Sequence, residues 1–135
     1  MRKHLPLLPL LLLAACATSP RPYAPVDNVR YSAIGAEPFW MVTIGDDRIV
    51  ITFGPDPGAR SGPLSGHIYP RTLPRTVDGV TRWTSSDGTA SIGVEAMPGP
   101  CEASRGARYR DRVRVRLNGR ELTGCGGPHL GPGRG

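Results

Sequence analysis

The sequence has few of the residues on which most catalytic and metal sites depend. It contains three cysteines and three histidines in 135 residues, and neither His67 nor His129 lies in a recognisable motif. No G-x-S-x-G, phosphate-binding loop, H-E-x-x-H or paired C-x-x-C pattern occurs. A hydrolase needs a nucleophile with a base in reach. We therefore predict that the protein is not an enzyme and that it holds no metal or cofactor.

Lysine and helical periodicity are also scarce. Lys3 is the only lysine, so nearly all the positive charge behind the formal net +6 comes from arginine. Arginine binds carboxylates and phosphates bidentately, as lysine does not, although a GC-rich genome also explains the bias. No stretch has a 3.6-residue apolar period, and 18 glycines with 15 prolines approach the level typical of disorder. Alternating apolar runs predict many short strands instead.

Residues 1–15 have the form of a signal peptide. A basic start precedes an apolar run over residues 5–15, which is shorter than the roughly twenty residues that a membrane-spanning helix needs. The run ends Leu13-Ala14-Ala15-Cys16, which resembles the lipobox of bacterial lipoproteins. This resemblance implies cleavage before Cys16 and a diacylglycerol on its thiol. The alternative is an ordinary secretory signal that is cut after Ala15 or Ala17.

A lipid on Cys16 would anchor the protein to a membrane of the bacterial cell envelope. By analogy with lipoprotein sorting, Ala17 after the cysteine favours the outer membrane, facing the periplasm. Cleavage would remove Arg2 and Lys3, two positive charges, and lower the formal charge from +6 to +4. The proline-rich residues 16–29 predict an extended tether.

The remaining cysteines follow from that assignment. If Cys16 carries lipid, Cys101 and Cys125 remain, and an oxidising compartment would pair them as a disulfide. A metal site built from two cysteines without nearby histidines is the weaker alternative.

Turn signals divide residues 30–126 into strands. Alternating runs flank Gly45-Asp46-Asp47, Asp78-Gly79, Asp87-Gly88 and Asn118-Gly119. Met97-Pro98-Gly99-Pro100 predicts a break before Cys101. The pattern predicts an all-β domain, a small antiparallel meander of about eight strands closed as a barrel or sandwich. Residues 127–135, rich in glycine and proline, predict a disordered tail.

The most regular alternation occupies the stretch between Cys101 and Cys125. Arginine stands at every even position from 108 to 116, and we call these residues the arginine row: Arg108, Arg110, Arg112, Arg114 and Arg116. Because side chains alternate along a strand, the row should share an outward face, with Val113, Val115 and Leu117 in the core.

Two interpretations of the arginine row remain open. It is a solvated surface paired with cross-strand acids such as Glu95 or Glu121, or it binds anions, either lipid phosphates or an acidic polymer of the envelope. A location outside the cytoplasm argues against nucleic acid as a partner.

Two separated motifs carry a resemblance to a known family. Gly35-Ala36-Glu37-Pro38-Phe39-Trp40, together with Cys101, Tyr109 and Gly124-Cys125, resembles small bacterial envelope proteins, usually lipoproteins, with a G-x-E-P-F-W signature and a C-terminal cysteine pair. The resemblance spans about residues 31–126, except that residues 102–106 replace the Gly-Met-Ser-Asp run of that family. It implies a binding or envelope-maintenance role without an established activity. Related modules are sometimes fused to domains similar to lysozyme inhibitors, so inhibition of a cell-wall hydrolase is the alternative.

The signature contains a candidate pocket. Glu37 would be an acidic contact beside Trp40, or instead a partner for an arginine or a backbone amide while Trp40 packs in the core. The hydrolase alternative would need an acidic patch of Asp46, Asp47 and Asp56, because a basic lysozyme and a basic inhibitor repel each other.

Overall fold

The computed structural model describes residue 26, residues 28–54 and residues 65–131. The predicted signal peptide, Cys16 and most of the predicted tether lie outside these residues. The elements are nine strands and one short 3-10 turn at Ser104–Gly106: β1 Tyr31–Ala36, β2 Phe39–Ile44, β3 Arg48–Phe53, β4 Ser65–Pro70, β5 Arg75–Val77, β6 Val80–Ser86, β7 Ser91–Glu102, β8 Arg108–Leu117 and β9 Arg120–His129. In the described part of the chain, no helix is long and apolar enough to cross a membrane.

All nine strands belong to one antiparallel sheet. Their order is β4-β3-β2-β1-β9-β8-β7-β6-β5, so the first and last strands of the chain are neighbours. The sheet curls into a half-barrel. The prediction of an all-β antiparallel fold is confirmed.

Strands β4 and β5 run in the same direction. Every pair of neighbouring strands is antiparallel, so the strand direction reverses at each step across the sheet. Four strands lie on each side of β9, and the two end strands β4 and β5 therefore point the same way. Only residues 71–74 separate them. They therefore act as two halves of one bent strand, the first paired with β3 and the second with β6. The sheet thus has nine strands, where about eight were predicted.

Side-chain hydrogen bonds cross between the two ends of the sheet. The Ser85 hydroxyl donates to the carbonyl of Pro70 at 2.6 Å, and the Thr72 hydroxyl donates to the carbonyl of Thr84 at 2.7 Å. These bonds hold the curl where the bent strand changes partners.

The core lies on the inner face of the curl. Trp40, Val42 and Ile44 of β2 alternate with outward residues, as the period-two pattern predicts. Val113 and Val115 supply the inner face of β8 and are buried, and Leu117 packs against the core while half-buried. Other buried members come from almost every strand: Tyr31, Ala33, Ile49, Ile51, Tyr69, Trp83, Ile92, Val94, Ala96 and Leu122.

Strand β7 continues through Pro98, Gly99 and Pro100, where a break was predicted. Its register with β8 shifts between Pro98 and Cys101, which is the mark of a β-bulge. Prolines cannot donate to a ladder, and bulges are where strands tolerate them. The bulge therefore carries the strand on to Cys101 instead of ending it.

Strand β9 corrects the predicted end of the domain. We predicted disorder from residue 127, but the strand continues to His129. A register shift opposite Tyr109 and Asp111 accommodates the extra residues. The backbone N–H of Leu130 also donates to the carbonyl of Arg108 at 2.8 Å. Glycine and proline at a strand end marked a bulge here, whereas we had interpreted them as disorder.

Candidate functional site

The arginine row lies on the outer face of β8. Arg110, Arg112 and Arg116 are exposed, while Arg108 and Arg114 are half-buried. The buried Val113 and Val115 alternate with them. The predicted register is therefore confirmed. A slip of one residue would have buried the charges and exposed the apolar side chains.

Carboxylates neutralise much of this row. Glu121 of β9 lies 3.1 Å from Nε of Arg114 and 3.7 Å from Nη2 of Arg116. Glu95 of β7 lies 3.9 Å from Nη1 of Arg114 and 2.9 Å from Arg82. These are the two acids that the solvated-surface interpretation named. For this part of the row, the structure contains the ion pairs that the interpretation expects.

Arg112 differs because of its cross-strand neighbours. In the strand register it pairs with Met97 of β7 and Cys125 of β9, and Cys125 in turn pairs with Ile34 of β1. None of these residues is an acid. Among the described residues Arg112 forms no ion pair. Its guanidinium lies over the backbone of Gly99 in the bulge.

Asp111 gives β8 a buried charge on its inner face. The residue is 2% exposed. It accepts hydrogen bonds of 2.9 Å from both Nε and Nη2 of Arg110 and from the hydroxyl of Tyr31. Burial acts to raise the pKa of Asp111, but these donors outweigh it and the pKa lies below its ordinary value. Burial, followed by the bond to Asp111, raises the pKa of Tyr31. The carboxylate is therefore ionised and ties β8 to β1.

The predicted disulfide joins Cys101 of β7 to Cys125 of β9. Their Cα atoms are 5.5 Å apart, across a sequence separation of 24 residues, within the range that disulfides require. Cys125 is buried and Cys101 is half-buried. The pairing is confirmed.

A cleft of about 1240 Å³ opens beside the disulfide. The end of β1 and the start of β2 form one wall, the end of β7 with the following 3-10 turn forms another, and β8 with β9 forms the floor. Most lining residues are apolar or small: Ile34, Gly35, Ala36, Phe39, Met97, Pro98, Cys101, Ala103, Ser104, Ala107, Tyr109, Val113, Thr123, Gly124 and Cys125. The charged residues in the lining are Glu102, Arg105, Arg112 and Arg114.

The cleft brings together the two sequence motifs that carry the resemblance. Gly35 and Phe39 come from the G-x-E-P-F-W hexapeptide, and Cys101, Tyr109 and the Gly124-Cys125 pair come from the C-terminal motif. Some 60 or more residues of chain separate the two motifs. The pairing of β1 with β9 makes them neighbours.

Glycines form the contact between the two motifs. A Cβ at Gly35 would collide with the indole of Trp40, and a Cβ at Gly124 would collide with the backbone carbonyl of Ile34 and lie 2.8 Å from the same ring. The indole therefore fills the space beneath two residues that lack side chains.

The predicted pocket of Glu37 and Trp40 takes a different form. Trp40 is 1% exposed in the core, and its ring supports the cleft from beneath without lining it. Glu37 is exposed in the β1–β2 turn, after which a cis peptide bond leads into Pro38. Neither residue lines the cleft. The core interpretation of Trp40 is the one that holds.

Two acids of the patch that the hydrolase alternative needs already have partners. Asp46 bonds to Arg30 and Asp47 bonds to Arg48, and each bond lowers the pKa of its carboxyl. Asp56 lies outside the described residues. The described residues contain no cluster of three or more histidines, cysteines and acids that could hold a metal ion.

His67 also lies away from the cleft. Its Nε2 is 2.5 Å from Oδ2 of Asp87, in the turn between β6 and β7. Backbone N–H bonds from Thr89 and Ala90, followed by the bond to His67, hold the pKa of Asp87 well below its ordinary value. The pair fastens the bent strand to the neighbouring turn.

Sequence reasoning missed two features of this region. The sequence did contain a signal for Asp111. It stands at an odd position of the alternating strand, as Val113 and Val115 do, so the alternation places its carboxylate on the inward face. No comparable signal marked Arg112, since its neighbours belong to strands far away in the chain.

No family model matches the chain, and no curated protein or solved structure matches it either. The resemblance through the G-x-E-P-F-W signature therefore remains a prediction. Function has to be argued from the geometry of the cleft.

Proposed function

We propose that the protein is a non-enzymatic binding domain of the bacterial cell envelope, whose cleft binds an anionic ligand. In this proposal residues 1–15 are removed and Cys16 carries the lipid. The lipid and the tether then anchor the domain to the outer membrane, on the side that faces the periplasm.

One observation carries the proposal. Acidic partners lie close to Arg110, Arg114 and Arg116, whereas Arg112 stands in the cleft without an ion pair among the described residues. A guanidinium between apolar walls is screened less than one on an open surface, so it attracts an anion more strongly. Its planar donors suit carboxylate and phosphate oxygens.

Two classes of envelope ligand meet this requirement: anionic lipids and acidic polymers. The hydrolase-inhibitor alternative gains nothing from the geometry, because Asp46 and Asp47 are each paired with an arginine and do not form a free acidic patch.

The test compares two single substitutions of equal charge. In a full chain carrying Cys16→Ser, so that no lipid is attached, Arg112→Gln should weaken binding to anionic vesicles or to an acidic polymer by about tenfold. Arg116→Gln should change it by less than about twofold, since Arg116 already lies beside Glu121. The difference in affinity between the parent and Arg112→Gln should become smaller as the salt concentration rises. Equal binding by the two variants would overturn the proposal.

Mass spectrometry of the protein from its own envelope tests the anchor separately. We expect an acylated Cys16 at the N-terminus. An unmodified terminus at Ala17 or later would remove the lipid anchor from the proposal and leave the cleft unaffected.

A further inference from the structure

We infer that the cleft binds a single-chain amphiphile, with its anionic head at Arg112 and its alkyl chain along the apolar wall. This inference rests on the proposed function and names the ligand class of the same site. A carboxylate and a phosphate head share the required chemistry.

The strand register isolates one charge among apolar neighbours. Across the junction of the two motifs, the outward row reads Met41, Ile34, Cys125, Arg112 and Met97. The next outward row reads Arg82, Glu95, Arg114 and Thr123, in which acid and base alternate. A polymer of regular charge would suit the second row. A molecule with one charge and one apolar segment suits the first.

The walls supply the apolar surface that an alkyl chain needs. Ile34 and Phe39 stand on the β1–β2 side, and Met97 stands on the β7 side, all of them half-buried in the cleft lining. Partly exposed apolar side chains around one concavity gain free energy when a ligand covers them. Methionine also adapts its shape to chains of different length.

Two arginines of the cleft lining, Arg105 and Arg112, form no ion pair among the described residues, and Arg112 is the one that pairs across the strands with the apolar Met97. Arg114 is held between Glu95 and Glu121. Glu102 is exposed in the cleft lining, where it repels an anion, so a head group should settle away from it. The guanidinium of Arg112 lies beside Gly99 of the bulge, within 3.2 Å of the position that an added Cβ would take.

A chain-length series tests the inference. The full chain with Cys16→Ser is titrated with acetate, octanoate, decanoate and dodecanoate below their micelle concentrations, followed by 1H–15N NMR shifts. Each added methylene should tighten binding by up to about fourfold. The shifts should concentrate at Ile34, Ala103 and Gly124. Dodecyl phosphate in place of dodecanoate distinguishes a phosphate head from a carboxylate head, and binding of either supports the inference.

Variants separate the head from the chain. Arg112→Gln should weaken dodecanoate binding by about tenfold and leave decanol binding within twofold, because the alcohol lacks the charge. Met97→Ser should weaken the binding of both. Arg116→Gln serves as the control of equal charge and should alter neither.

Three outcomes would overturn the inference. If acetate binds through Arg112 but longer chains gain nothing, the amphiphile is wrong and the proposed anion binding stands. If decanol binds as tightly as decanoate, the head has no role at Arg112. If no member of the series binds to a chain whose NMR spectrum shows that it is folded, the cleft does not take this class of ligand.

Discussion

The outer faces of the two halves of the sheet differ in character. Across β1 to β4 the outward rows are uncharged apart from Arg48 at the start of β3, and they hold Ser32, Ile34, Met41, Thr43, Val50, Thr52, Gly66 and Ile68. Across β6 to β9 they hold Arg82, Thr84, Gly93, Glu95, Arg114, Arg116, Glu121 and Thr123. The inner faces of both halves are apolar and merge into one core.

This difference shows where a binding site forms on a uniform scaffold. In the first half the neighbouring outward residues are almost all uncharged, and in the second half the arginines lie near acids of neighbouring strands. At the junction of β1 with β9 the two characters meet, and Arg112 stands among apolar neighbours. The mismatch coincides with the cleft.

The largest effect should come from filling the junction. Gly124→Ala places a methyl group against the carbonyl of Ile34 and the ring of Trp40, and neither can yield without moving β1. We expect the free energy of unfolding to fall by at least about 3 kcal/mol. Gly93→Ala is the control, because an added Cβ there meets nothing within 4 Å. Equal denaturant midpoints for the two variants would contradict the role of the junction.

Loss of the disulfide should be the next largest effect. Replacing Cys101 and Cys125 together by serine removes a cross-link between residues that are 24 positions apart. The unfolded chain then gains conformational entropy, which should lower the free energy of unfolding by about 3 kcal/mol. The far-ultraviolet circular dichroism of the folded variant should keep its β-sheet form, because the ladders of β7, β8 and β9 do not depend on the bond. A loss of sheet under native conditions would show that the bond organises the second half.

Asp111→Asn should remove a pH-dependent tie between β8 and β1. The pKa of Asp111 is lower when folded than when unfolded, so its contribution is complete above the unfolded pKa of about 3.9 and is lost as the pH falls through the folded pKa. We expect a loss of about 1–3 kcal/mol at pH 7.

The pH profile provides the check on Asp111. Urea unfolding measured at pH 7 and at pH 3 should give a smaller difference between parent and variant at the lower pH. A difference that does not change with pH would mean that Asp111 acts through its shape alone and not through its charge.

The smallest effect should come from the charged outer face. In a double-mutant cycle, Arg114→Gln and Glu121→Gln should show a coupling below about 1 kcal/mol, because both side chains are substantially exposed, at 42% and 45%. The coupling should decrease in high salt. A coupling of several kcal/mol would mean that the ion pairs hold the second half together, as the apolar core does elsewhere.

Local patterns were sufficient for much of this fold. Alternation in β2 and β8 predicted which side chains face the core, and Asp78-Gly79, Asp87-Gly88 and Asn118-Gly119 predicted turns that the structure contains. Glycine and proline misled where they occur inside β7 and at the end of β9. Both β-bulges and disordered segments are rich in glycine and proline. Only pairing with a neighbouring strand distinguishes one from the other.

The candidate site was predicted only in its parts. Cys101 and Cys125 were expected to pair, and the arginine row was expected to face outward. That Arg112 would lack an acid while Arg110, Arg114 and Arg116 lie beside Asp111, Glu95 and Glu121 depends on register across three strands. Register between strands distant in the chain cannot be read from either strand alone.

The amino-acid sequence by itself determined the all-β class, the positions of most turns and the face on which each side chain of β8 lies, because period-two alternation and turn chemistry act between residues adjacent in the chain. Only the tertiary structure decided that β1 lies beside β9 and that β4 and β5 share one bent path. It also decided that Gly35 and Gly124 meet over Trp40 to form a cleft with Arg112. These arrangements depend on long-range pairing, in which the curl of the whole sheet and the burial of one common core select the partners.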